Sequence, residues 1–235
     1  MKKNNSMSNF YNDFEQKKLE AESWFNDLRN QICLNFESIE KDSVKDSNKK
    51  PANFEVKLWD RPGGGGGKMS IMKGKIFEKV GVNVSSVHGI LSECFRENIP
   101  GASKTGEFWA SGISVVAHPR NPHIPAAHMN TRLISTSKSW FGGGGDITPM
   151  VPSPLMSKFF HSEFQKTCEA HDENYYKKFK SWADEYFFIK HREEARGDGG
   201  IFFDNLNSGN WEKDFSFIKD VGKTFHGVYS NIVNQ

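Results

Sequence analysis

The sequence predicts an α+β fold built around an antiparallel sheet. Apolar residues alternating at every second position are confined to the middle of the chain, and spacings of three and four mark helices towards both ends. The regular β–α–β alternation that a doubly wound parallel sheet requires is absent. With 235 residues and 36% hydrophobic side chains, including 20 Phe and 6 Trp, the chain can bury one sizeable core. No internal repeat or composition break divides it, so residues 1–235 are expected to form a single domain.

The first helix is marked by Phe25, Leu28, Ile32 and Phe36, which share one face among charged neighbours. A polar, lysine-rich loop is expected over 41–52, closed by Pro51. From Phe54, alternation sets Phe54, Val56 and Leu58 against Glu55, Lys57 and Trp59, a half-buried strand stopped by Arg61, Pro62 and the glycine run 63–67. Further strands are expected over 75–84, 112–118 and 128–134. A second glycine run, 142–145, precedes Asp146. Residues 158–196 read as two helices broken near His171 and Asp172. Tyr175, Phe179, Trp182, Tyr186 and Ile189 form the buried stripe of the second, and Gly197 its C-cap. A strand over 200–203 follows, and Phe215, Ile218, Gly222, Phe225 and Tyr229 define a closing helix.

Composition excludes several classes of function. Thirty-one basic against 29 acidic residues give no nucleic-acid signature. Cys33, Cys94 and Cys168 are odd in number and far apart, so neither a zinc site nor a disulfide framework is indicated, and reduced thiols are expected. The basic N-terminus is followed by no apolar stretch, and the longest apolar runs are too short for a bilayer. The expected location is the cytoplasm. The five glycines before Lys68 do not make a phosphate loop: Pro62 stands where its first Gly is needed and Met69 where the metal-binding hydroxyl is needed. They either let backbone approach a ligand or form a disordered loop.

Two strands carry candidate chemistry. Ser114, Val116 and His118 share one face; His128, Asn130 and Arg132 share another, with Met129, Thr131 and Leu133 opposite. A guanidinium able to grip a carboxylate with two hydrogen bonds stands four positions from an imidazole able to move a proton near neutral pH. If the strands are neighbours, the two faces form one anion-binding, proton-transferring surface. The plainer and commoner alternative is a polar face turned to water. His161 and His191 belong to no metalloprotease motif, and Arg192 and Arg196 are accounted for by a helix C-terminus.

Taken together, a collinear series of strings resembles the oxygen-dependent coproporphyrinogen III oxidase family. It runs from Trp59-Asp60-Arg61-Pro62 with its glycines, through Gly81-Val82-Asn83-Val84-Ser85, Gly112-Ile113-Ser114 and His118-Pro119-Arg120-Asn121-Pro122-His123. It continues with His128-Met129-Asn130-Thr131-Arg132, Trp140-Phe141-Gly142-Gly143-Gly144, Asp146-Ile147-Thr148-Pro149, His191-Arg192 and Gly199-Gly200-Ile201-Phe202-Phe203-Asp204. The resemblance covers the chain from about residue 54 onward.

That resemblance implies a large flat antiparallel sheet flanked by helices on both faces, and a homodimer. It implies oxidative decarboxylation of coproporphyrinogen III to protoporphyrinogen IX in haem biosynthesis. Two propionates become vinyls, oxygen is the co-substrate, carbon dioxide and hydrogen peroxide are released, and neither flavin nor nicotinamide is used. Carried over by position, Ser114, Asn130, Thr131 and Arg132 are implied to bind substrate and His128 to donate the proton. His118, His128, His161 and His191 correspond to positions proposed to hold a divalent metal. The family also continues into a C-terminal segment that has no counterpart before Gln235. The alternative is therefore a non-catalytic tetrapyrrole-binding relic.

Overall fold

In a computed structural model the described residues are 3–45, 48 and 50–235, with side chains from residue 14 onward. Seven antiparallel strands lie in sequence order across one sheet: β1 (Glu55–Asp60), β2 (Gly65–Met72), β3 (Phe77–Ile90), β4 (Glu107–Pro119), β5 (Ala126–Ser135), β6 (Ser139–Thr148) and β7 (Gly199–Leu206). The helices are α1 (Lys3–Ser43), the single turn α2 (Glu93–Arg96), α3 (Pro154–His171), α4 (Tyr175–Tyr186) and α5 (Trp211–Val233). The α+β class and the antiparallel sheet expected from the sequence are both present.

Alternation decides which face is buried. Val80, Val82, Val84, Ile113, Val115, Ala117, Met129 and Leu133 project to one side and are buried. Above them α1 lays Phe25, Leu28, Ile32 and Phe36, each fully buried, across β3 and β4. Each such side chain contributes about 2 kcal/mol through loss of contact with water. α5 covers β5 and β6 with Phe225 and Tyr229, whose hydroxyl donates to the Pro125 carbonyl at 3.0 Å. α3 packs against α5 and opens with Pro154 after a Ser153 cap, whose hydroxyl accepts from the Met156 amide. α4 closes the β7 edge, placing Phe179 against Phe203 on the core side and Trp182 and Tyr186 against Phe202 on the other.

Three local expectations are corrected. Both glycine runs contribute strand: Gly65 to Gly67 belong to β2, and Gly142 to Gly145 lie inside β6, buried on both sides. Glycine has poor strand propensity, so the pairing that tertiary context imposes is invisible in composition. β1, expected to be half-buried, is exposed along its whole length because α1 does not reach the outermost strand. α4 ends at Tyr186, which is exposed; Ile189 instead makes an isolated bridge with Glu194, and Gly197 caps nothing. Of the expected polar loop, 41–43 are helical and Val44 is buried, while 46, 47 and 49 lie outside the described residues.

α1 is also fastened by charge. Glu40 is 1% exposed, and its carboxylate accepts from the Lys75, Ile76 and Phe77 amides at 2.8–3.0 Å, satisfying the turn between β2 and β3. Glu40→Ala leaves three backbone donors without their acceptor, that of Phe77 buried, and is expected to lower unfolding free energy by about 3 kcal/mol, with Glu40→Gln losing less, in urea denaturation. Burial in α5 pushes the His226 imidazole below its ordinary 6.5. Its contribution is complete above that value and is lost as pH falls through the lowered folded value, because only the unfolded chain readily takes the proton. Between pH 7.5 and 5.5 the parent's urea midpoint is expected to fall further than that of His226→Gln.

Candidate active site

The face of the sheet opposite the core carries the polar residues. Cross-strand register aligns Asn83, Ser114, Asn130, Gly144 and Phe202 in one row, and Val116, His128 and Asp146 in the next. Gly112, Arg132 and Gly142 form a third. Ser114, His128, Asn130 and Arg132 are thus together, on adjacent strands, as alternation predicts. Thr131 is not with them: its side chain is fully buried on the core side.

The floor between these side chains is flat because glycines occupy Gly81, Gly112, Gly142 and Gly144. A Cβ at Gly144, whose φ is +153°, would lie 2.1 Å from the Ile201 carbonyl oxygen, so only glycine permits this pairing of β6 with β7. One depression in the face is lined by Ser114, His128, Asn130, Asp146, Arg196 and Phe202. A second shares Ser114 and Asn130 and runs past Arg132 and Gly112 to Ser85 and Trp59. At the β7 side Phe202 makes a wall, stacked on Tyr186 with centroids 4.1 Å apart.

Charge is arranged across β5, β6 and β7. Asp146 is 2% exposed and pairs with Arg196, whose guanidinium lies 3.9 Å over the Phe187 ring. The other Asp146 oxygen is 3.4 Å from His128 Nδ1, which is buried and makes no hydrogen bond. A buried carboxylate thus stands behind this edge of the ring. Arg132 Nη1 donates to Asn130 Oδ1 at 2.6 Å, and its Nη2 is 3.1 Å from Asp204 Oδ2.

Of the four histidines matched to a metal, His118 and His128 stand edge to face with ring centroids 6.1 Å apart. His161 is not brought to them. Its Nε2 faces the Asp198 carbonyl oxygen at 2.9 Å and its Nδ1 the Tyr176 hydroxyl at 3.0 Å. Burial pushes the Tyr176 phenol up to about 12, so it remains protonated, and neither His161 nitrogen keeps a free lone pair. His191 is exposed in the turns after α4. Among the described residues no three His, Cys, Asp or Glu side chains are grouped to hold a metal, so the four-histidine set does not converge in this structure.

Sequence reasoning passed over Asp146, Arg196 and Asp204. Arg196 is no helix-end cation, since α4 has already ended, and its partner is Asp146. The signal for Asp146 was present: in a strand over 142–148 it falls on the face of Gly142 and Gly144. The glycine run shows no side-chain period, so no strand is assigned there from sequence and Asp146 is left without a face.

A family model described as coproporphyrinogen III oxidase matches residues 20–235. An oxygen-dependent coproporphyrinogen-III oxidase of Rickettsia bellii (strain RML369-C) is 56% identical over 213 residues, which are 91% of this chain and 76% of the relative. One from Rickettsia rickettsii (strain Sheila Smith) is 54% identical over 223 residues, 95% of this chain and 80% of the relative. With that match spanning the sheet, the glycine floor and each polar residue on it, the chain belongs to the coproporphyrinogen III oxidase family.

Proposed function

We propose that the chain converts coproporphyrinogen III to protoporphyrinogen IX in haem biosynthesis, with oxygen as co-substrate. The observation that carries this reading is the open glycine floor flanked by His128 and Arg132, which leaves room for a bulky macrocycle and sets a guanidinium and an imidazole beside its carboxylates. For each propionate, the side chain R–CH2–CH2–COO⁻, one O2 and one proton give R–CH=CH2, CO2 and H2O2. A C–H bond of the side chain and the C–C bond to the carboxylate both break; one electron pair becomes the second bond of the vinyl group and the other reduces the oxygen. No flavin or nicotinamide enters this balance.

Each residue then has a task. Arg132 holds a propionate carboxylate by charge-assisted hydrogen bonds, and Asn130 and Ser114 offer amide and hydroxyl groups beside it. His128 moves a proton at the edge of the macrocycle, with Asp146 behind Nδ1 holding the ring's orientation. Phe202 and the aromatic side chains stacked on it limit water at the reacting end. A second copy of the chain is the expected partner, supported by the uncovered β1, which exposes Val56, Leu58 and Trp59. The three free cysteines fit a reducing compartment such as the cytoplasm.

Coproporphyrinogen III added anaerobically, followed by air and chromatography of the products, tests the reaction. The parent is expected to form protoporphyrinogen IX, and His128→Ala to lose about a hundredfold or more in kcat. Binding of the porphyrin with no turnover by a folded parent would make the chain a tetrapyrrole-binding protein instead. Arg132→Gln is expected to weaken substrate capture by about tenfold or more, read as kcat/KM. Equal kcat/KM in the two proteins would remove Arg132 from the carboxylate site.

A further inference from the structure

We infer that Asp204 is a positioning residue for Arg132, fixing the guanidinium across β6 so that it meets a carboxylate in one orientation; this rests on the proposed function for the identity of that carboxylate. The geometry at β7 serves this contact. Register shifts between Phe141 and Gly143: Phe141 pairs with Leu206 and Gly143 with Phe203, leaving Asp204 and Asn205 opposite Gly142 alone. Such a bulge re-aims side chains and breaks the ladder, and bulges of this kind gather beside active sites. Asn205 completes it in the left-handed region, with φ 55°, a conformation asparagine tolerates better than most residues.

Alternation from Phe202 puts Asp204 on the polar face, and the bulge that follows holds it there. Its Oδ1 accepts from the Asn205 amide at 2.9 Å, which fixes the carboxylate and leaves Oδ2 for Arg132 Nη2 at 3.1 Å. Space for the pair is made by Gly142. A Cβ there would lie 2.6 Å from Asp204 Oδ1 and 2.9 Å from Arg132 Nη2, so the two charges meet directly above the missing side chain. With Asn130 holding Nη1 at 2.6 Å, the guanidinium is gripped on two sides. A freely swinging arginine would still attract carboxylates, but it would hold them in many poses. The bulge, the left-handed Asn205 and the bare Gly142 together select one pose.

Arg132 mobility can be read without substrate. Phenylglyoxal modification of Arg132, followed by peptide mass spectrometry, is expected to run about tenfold faster in Asp204→Ala than in the parent. Asp204→Asn, which keeps an acceptor for the Asn205 amide but loses the charge, should fall between them. Thermal unfolding of Asp204→Asn matching the parent's excludes general loosening as the cause, and Asp204→Asn alone decides the matter should Asp204→Ala not fold. Modification at the parent's rate in the folded variants overturns the inference. For function, coproporphyrin III affinity from fluorescence quenching is expected to stay within about twofold while kcat with coproporphyrinogen III falls about tenfold. Faster modification with unchanged kcat overturns the positioning role. A parent that neither binds the porphyrin nor turns over sinks the proposed function, while the modification rates still decide whether Asp204 restrains Arg132.

Discussion

The polar face depends on a single constraint, the antiparallel register that sets Gly142 and Gly144 opposite Arg132 and Asn130. Strand side chains alternate, so a slip of one residue in β6 would put Phe141 or Gly143 on that face and turn Asp146 into the core. The register is held from the other side. Met129 and Leu133 are buried under the helices and cannot exchange places with His128 and Arg132 without exposing apolar surface and burying charge. The hydrophobic face therefore fixes the geometry of the polar one.

Electrostatics on that face is close to balanced. Arg196 pairs with Asp146 and Arg132 with Asp204, two guanidinium groups against two carboxylates, with His118 and His128 among them. A strongly basic patch would gather anions without discrimination. Paired arginines admit an anion only where it can share or displace the resident carboxylate, so geometry contributes to selection as much as charge does. Asp146 is the less replaceable of the two acids because it is almost fully buried and serves both a cation and an imidazole. Removing either partner would leave charge without compensation in a region of low polarisability.

Much of this was legible in the sequence, and what was not has physical causes. The helices α1 and α5 announce themselves because Phe25, Leu28, Ile32 and Phe36, and then Phe225 and Tyr229, recur at helical spacing. Strict alternation likewise exposes β4 and β5, and with them Ser114, His128, Asn130 and Arg132. β2 and β6 were hidden because glycine has no side chain through which a period could show, and both strands exist only as pairing partners of their neighbours. Asp146 vanished with β6. Asp204 was missed for another reason: it lies one residue beyond the strand expected over 200–203, and its contact with Arg132 spans a strand and leaves no local pattern. Thr131 shows the reverse limit, since membership of a motif does not say which side of the sheet a residue faces.

The order in which the core face is covered has a consequence for biosynthesis. α1 shields β3 and β4, whereas β5 and β6 wait for α5, and Ser230 of α5 reaches back to donate to Asn35 Oδ1 in α1 at 2.6 Å. During synthesis all seven strands emerge before α5, so they can pair while the apolar side of β5 and β6 still lacks its lid. Contacts spanning nearly two hundred residues form only after α5 leaves the ribosome, so the nascent sheet passes through an interval in which it is sticky. Holding factors that shield exposed apolar strands would act in that interval, before the last helix closes the face.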